Sequence, residues 1–278
     1  TTPRQRIVLR REMVRQGEDT PVRRALLEEF EYDALETCAT DGSCLLACPV
    51  GIDTGAFIKG FRAEQNTPAA EKMALRAARR WDRVEKLARG GLGVGGAISK
   101  VTSDGAMRGL TRAARKFVSA DLVPEWGEKM PPSAEAKLPS TSIDGAAAVY
   151  MPACINRMFG RSKADDGDLS LPEALVAVSA RAGKPVWIPD DIAGTCCSVP
   201  WSSKGYKDAH AFKANQTVDR LWRWTGGGTL PVVIDATSCG HGLQHPGPGV
   251  LTEENETRHA SIRVIDSVEW AESFLLPE

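Results

Sequence analysis

Cys38-Ala39-Thr40-Asp41-Gly42-Ser43-Cys44-Leu45-Leu46-Ala47-Cys48-Pro49 places three cysteines within eleven residues and closes the run with proline. This spacing follows the iron–sulfur run C-x2-C-x2-C-x3-C-P, with Asp41 in the slot of the second cysteine. Thiolate sulfur is a soft ligand suited to iron–sulfur clusters, and a carboxylate is a harder one that binds iron more loosely. The motif therefore reads as three thiolates and one oxygen around iron. The plain alternative is three structural thiols lying close together. Cysteines between flanking helices predict a small helical ferredoxin-like domain.

Working outward, the chain of 278 residues is long enough for two domains with proper cores. Its 35 Lys/Arg and 36 Asp/Glu nearly cancel, so no global charge draws it to nucleic acid. No stretch is apolar for long enough to span a membrane, and no signal peptide is visible at the start. The seven cysteines are odd in number and clustered by motif, which in a reducing compartment favours metal ligands over disulfides. The cytoplasm is the expected location.

The first half, to about Ser119, reads as helical. Thr2-Pro3 caps a helix over Arg4 to Arg15, and Pro21 to Tyr32 gives a second. Asp53-Thr54 caps a third, to Gln65. Thr67-Pro68 opens a long fourth, with Met73, Ala77, Trp81, Val84 and Ala88 as its apolar stripe, stopped by Gly90-Gly91. The run Gly90 to Gly96 lacks a preceding strand and a closing Lys-Ser/Thr pair, so it reads as a flexible break and not a phosphate loop. A helix over Ala106 to Val118 follows. Residues 71–116 hold twelve Lys/Arg against four Asp/Glu, either solvated helix faces or a docking face for an acidic partner. Few aromatics interleave these charges, which argues against a nucleic-acid partner.

Pro, Ser and charge over residues 121–145 mark a linker, after which residues 146–278 alternate strand and helix. Strands are expected at Ala146 to Pro152, Pro185 to Pro189, Pro231 to Asp235 and Ser261 to Ile265. Helices are expected after the Ser170–Glu173 capping box, over Lys204 to Trp224, and over Ser267 to Leu276. The predicted class is α + α/β: a helical domain over residues 1–120, then a parallel α/β domain. Cys154, the pair Cys196-Cys197, and Cys239 each fall just behind a strand. Sites in parallel sheets form beyond the carboxyl ends of the strands, so these four thiols are expected on one rim as metal or redox residues. Small buried hydrophobes are the alternative. His241, two residues past Cys239, is a further ligand or proton-donor candidate.

These residues resemble the iron–sulfur C-terminal region of bacterial FAD-linked D-2-hydroxyacid dehydrogenases, the cytochrome-type D-lactate dehydrogenases and glycolate oxidase iron–sulfur subunits. The resemblance rests on Thr2-Pro3-Arg4-Gln5-Arg6-Ile7, on Cys38/Asp41/Cys44/Cys48-Pro49-Val50-Gly51-Ile52-Asp53, and on the Cys154, Cys196-Cys197, Cys239 series of the cysteine-rich CCG domain. It implies [4Fe–4S] clusters held by Cys38, Asp41, Cys44 and Cys48, with Cys154, Cys196, Cys197 and Cys239 as the CCG ligands. Cys48, before proline, would ligate the cluster of an earlier cysteine run. That run is expected before Thr1, a second CCG repeat beyond Glu278, and the FAD domain further upstream, so the chain reads as an internal piece of a longer flavoprotein. Implied partners are that flavin domain and a quinone or cytochrome acceptor at the inner face of the membrane. Two departures bear on the CCG site: Ser198 stands where the family has glycine, and Gly242 where it has a second cysteine. Other readings are a separate subunit of the heterodisulfide-reductase or glycolate-oxidase type, and a non-enzymatic zinc or thiol-switch protein.

Overall fold

The computed structural model describes residues 2–117, 125–127, 130–161 and 169–276. It is a mixed helical and parallel-sheet protein in two compact units, Thr1–Ala78 with Ser198–Phe212, and Arg79–Cys197 with Lys213–Glu278.

The first unit is helical. Thr2 starts α1 (Pro3–Arg15) through a reciprocal capping box with Gln5, and Thr20 caps α2 (Pro21–Phe30). A π-helical stretch, Glu31–Glu36, carries the chain from α2 toward the cysteine run. That run holds only the single turn α3 (Ser43–Leu46) before Asp53 caps α4 (Thr54–Gln65). Met13, Phe30, Ala34, Leu35, Ile58 and Phe61 form the core, and Cys38 packs against it. Phe30 meets Phe61 edge-on at 5.3 Å between ring centres, the arrangement favoured by aromatic quadrupoles.

The helix expected to run from Thr67 to Gly90 is instead two, α5 (Pro68–Arg79) and α6 (Trp81–Val101), broken at Arg80 (φ −118°, ψ 35°). The glycines neither stop the second helix nor make a loop. Gly95 is buried because a Cβ there would stand 2.4 Å from the Trp126 ring, so glycine makes room for an indole. Trp126 Nε1 donates to Asp104 Oδ1 at 3.1 Å, fixing the indole against α7 (Asp104–Phe117). Nothing stands within 4 Å of a Cβ placed at Gly90, Gly91, Gly93 or Gly96. Val118 and positions 121–124 and 128–129 of the expected helix end and linker lie outside the described residues.

The second unit is built on a four-stranded sheet of order β2-β1-β3-β4, parallel throughout: β1 (Ala148–Met151), β2 (Val186–Trp187), β3 (Val232–Ile234) and β4 (Val264–Asp266). β1 and β3 are buried along their length, as strands covered on both faces must be. The helices after β1 are α8 (Cys154–Met158) and α9 (Leu171–Arg181), and α9 opens on the expected Ser170/Glu173 capping box. The helix expected over Lys204 to Trp224 is two, separated at Gly205: α10 (Val199–Lys204), which belongs to the first unit, and α11 (Lys207–Trp224), which belongs to the second from Lys213 onward. α12 (Thr237–Gln244) and α13 (Glu253–Ala260) precede β4, and α14 (Ser267–Trp270) with the π-helical turn Ala271–Leu275 follows it.

Gly205 has φ +78°, and a Cβ there would lie 2.5 Å from the Ala63 backbone nitrogen. Both the backbone region and the packing exclude a side chain. Gly205→Ala is expected to destabilise the protein by more than about 2 kcal/mol, read as a lowered urea midpoint at unchanged slope.

Candidate functional sites

In the first unit, Cys38, Cys44 and Cys48 are all half-buried. Cys48 Sγ accepts a hydrogen bond from Ile52 N at 3.4 Å. The backbone N–H groups of Ile52, Val50 and Gly51 together hold the Cys48 thiol below its usual pKa, because they favour the anion. Gly51, at φ +66°, supplies the left-handed step of this turn. Cys44 Sγ lies 2.6 Å from Thr54 Oγ1, at the start of α4. Asp41 Oδ1 accepts from Ser43 N at 3.2 Å and Ser43 Oγ at 3.0 Å, so the carboxylate also steadies the first turn of α3. Arg62, which no sequence signal marked, donates to the carbonyls of Leu35, Cys38 and Ser203 and so fixes the entry to the cysteine run.

In the second unit the thiols follow the strands as expected. Cys154 opens α8 after β1, Cys196-Cys197 end the loop after β2, and Cys239 sits in the first turn of α12 after β3. Cys154 Sγ and Cys196 Sγ stand 3.7 Å apart and are hydrogen-bonded. That bond first, and burial second, push the Cys154 thiol well above its usual pKa. Cys197 is also buried, and Cys239 is half-buried.

Buried polar groups set this geometry. Asp235, at the end of β3, accepts from Ala153 N at 2.7 Å and from Tyr150 OH at 2.6 Å, pinning the turn that presents Cys154. Arg157 and Glu85 pair at 2.8 Å, with side chains only 4% and 6% exposed. Arg157 also donates to Ile192 O at 2.6 Å and to Thr195 O. Lys213 Nζ donates to Gly194 O at 3.0 Å, and Thr217 Oγ1 to Cys196 O at 2.8 Å. The loop from Ile192 to Cys196 is thus held by its carbonyls. Burial raises the Glu85 pKa against the pull of Arg157, and burial lowers that of Lys213 to about 8 against the attraction of Cys196. None of Glu85, Arg157, Lys213 or Asp235 carries a local sequence signature.

His241, on α12, does not lie in isolation: its ring tilts against that of His245, just past the end of the helix, at 4.6 Å. A cavity of about 700 Å³ opens beside Arg157 and is lined also by Lys86, Arg89, Phe159 and Asp190; its walls carry both signs of charge. None of the cysteines lines it.

Among the described residues, no three His, Cys, Asp or Glu side chains converge as ligands of a single metal ion. A zinc site would need such a convergence, with four ligands close around one ion. Cluster thiolates stand further apart than that. The Cys38–Pro49 run offers donors of the kind a cluster takes, three half-buried thiols, one of which accepts a hydrogen bond from the Ile52 N–H. The Cys154–Cys196 contact is that of two thiols facing each other and does not present an open ligand set.

Two stability predictions follow from these loops. Arg157→Met should cost about 3–5 kcal/mol in urea unfolding by leaving Glu85 buried without its partner, and Glu85→Leu in the same chain should recover much of it. Ser198, beside Cys197, adopts φ +68° while only 1% exposed. Ser198→Gly relieves that left-handed strain and is expected to raise stability by about 1 kcal/mol in the same assay.

Among the described residues, no helix is long and apolar enough to cross a membrane. Comparison of the chain with protein-family models, with characterised proteins and with solved structures gives no match.

Proposed function

We propose that this chain is the iron–sulfur electron-transfer portion of an FAD-dependent D-2-hydroxyacid dehydrogenase, passing electrons from flavin toward a quinone or cytochrome acceptor. The observation that carries the reading is the half-buried Cys48 sulfur accepting a hydrogen bond from Ile52 N at 3.4 Å, within a run whose spacing and closing proline match a cluster motif. A [4Fe–4S] cluster supplies one-electron transfer when bound. Cys38, Asp41, Cys44 and Cys48 are the residues assigned to hold such clusters, in the helical ferredoxin-like role. The Ile52 N–H favours the anionic Cys48 sulfur and would raise the potential of a cluster that this sulfur held. The core packing of Cys38 and the Arg62 hydrogen bonds keep the start of the run in place, as a run that would hold a cluster requires. The hydroxyacid and the flavin belong to a domain other than these residues.

Full-length protein purified anaerobically should contain iron and acid-labile sulfide and give a reduced-state EPR signal. Cys44→Ser should lower iron content and that signal together. Zinc without iron or sulfide, or a Cys44→Ser protein with unchanged iron and EPR, overturns the reading.

A further inference from the structure

We infer that Cys154 and Cys196 are a redox-active dithiol that interconverts with an intramolecular disulfide, a two-electron site independent of any cluster in the Cys38–Pro49 run. The two sulfurs face each other at 3.7 Å although they come from loops behind different strands. A disulfide bond is about 2.05 Å long, so the sulfurs need approach by about 1.7 Å to form one. The surroundings hold both residues for it. Asp235 fixes the turn before Cys154, and Thr217 grips the Cys196 carbonyl.

Exposure orders the two steps. Cys154 keeps 7% of its surface, whereas Cys196 is fully buried at 0%. A low-molecular-weight disulfide therefore meets Cys154 first. Only the small ionised fraction of Cys154 reacts, so the step is slow. Its thiolate attacks one sulfur of the reagent, the small thiolate that leaves takes up the proton Cys154 gave, and a mixed disulfide remains. The Cys196 sulfur then attacks the Cys154 sulfur, forming the internal bond and releasing the second small thiol. The cysteines give up two electrons and two protons, and the reagent leaves as two thiols carrying both. In the reverse direction the site delivers two electrons to a disulfide. Cys197 and Cys239 are not needed for either step.

The test uses full-length protein treated with oxidised glutathione, quenched by alkylation and mapped by peptide mass spectrometry. The expected product in the wild type is a peptide pair linked through Cys154 and Cys196, lost on reduction with dithiothreitol. Cys196→Ser should trap glutathione on Cys154, and Cys154→Ser should leave Cys196 unmodified. Cys197→Ser and Cys239→Ser should still form the linked pair. The inference is overturned if folded wild type retains both thiols, if it stops at glutathionylated Cys154, or if Cys154 links to Cys197 or Cys239. It is equally overturned if both thiols react with glutathione only after a chelator removes a bound metal. These results leave the iron and EPR test of the Cys38–Pro49 run untouched, because that test reads a different set of cysteines.

Discussion

The contact between Glu85 and Arg157 is the constraint on which the geometry of the second unit depends. Each charge would be costly in the interior alone, and their pairing at 2.8 Å makes burial tolerable. Arg157 has donors to spare after meeting Glu85, and it gives them to Ile192 O and Thr195 O. Glu85 in turn accepts from Gly194 N at 3.3 Å. A strand-to-helix connection with no regular structure is thereby made part of the core. Cys196 lies at the end of that connection, so the ion pair sets where its sulfur points.

The sheet was legible because β1 and β3 are short apolar runs bounded by turn residues, and such runs have one stable destination in an α/β protein. Helix starts were legible for a similar local reason: Thr2, Thr20, Asp53 and Ser170 each carry their capping chemistry within a few residues. The glycines were misleading because their role is set at a distance. Gly95 is helical and serves Trp126, whereas Gly205 divides what periodicity presents as a single helix from Lys204 to Trp224. A local rule that reads glycine as a stop has no means of telling these apart.

The cysteines were legible as a pattern and not as chemistry. Spacing marked all seven, yet the two sets sit in opposite surroundings. Cys48 is half-buried among N–H donors that favour its anion, and Cys154 is buried against another sulfur that disfavours it. The residues that create the difference, Ile52 on one side and Asp235, Arg157 and Lys213 on the other, became apparent only once the chain was folded. Buried charge pairs between distant segments leave no periodic trace in a sequence.

Gly194 shows how far that hidden electrostatics extends. Its N–H donates to Glu85 and its carbonyl accepts from Lys213, so the two peptide groups that flank this residue are each held by a charged side chain. With φ +74° and a Cβ position 3.0 Å from Asp82 N, any side chain there is strained in its backbone and crowded by Asp82. Arg220 reaches the same loop, donating to Ala193 O at 3.0 Å and to Thr195 Oγ1, so Arg157, Lys213 and Arg220 all bond to the segment that leads to Cys196. A side chain introduced at Gly194 would therefore disturb the bonds to both Glu85 and Lys213 at once.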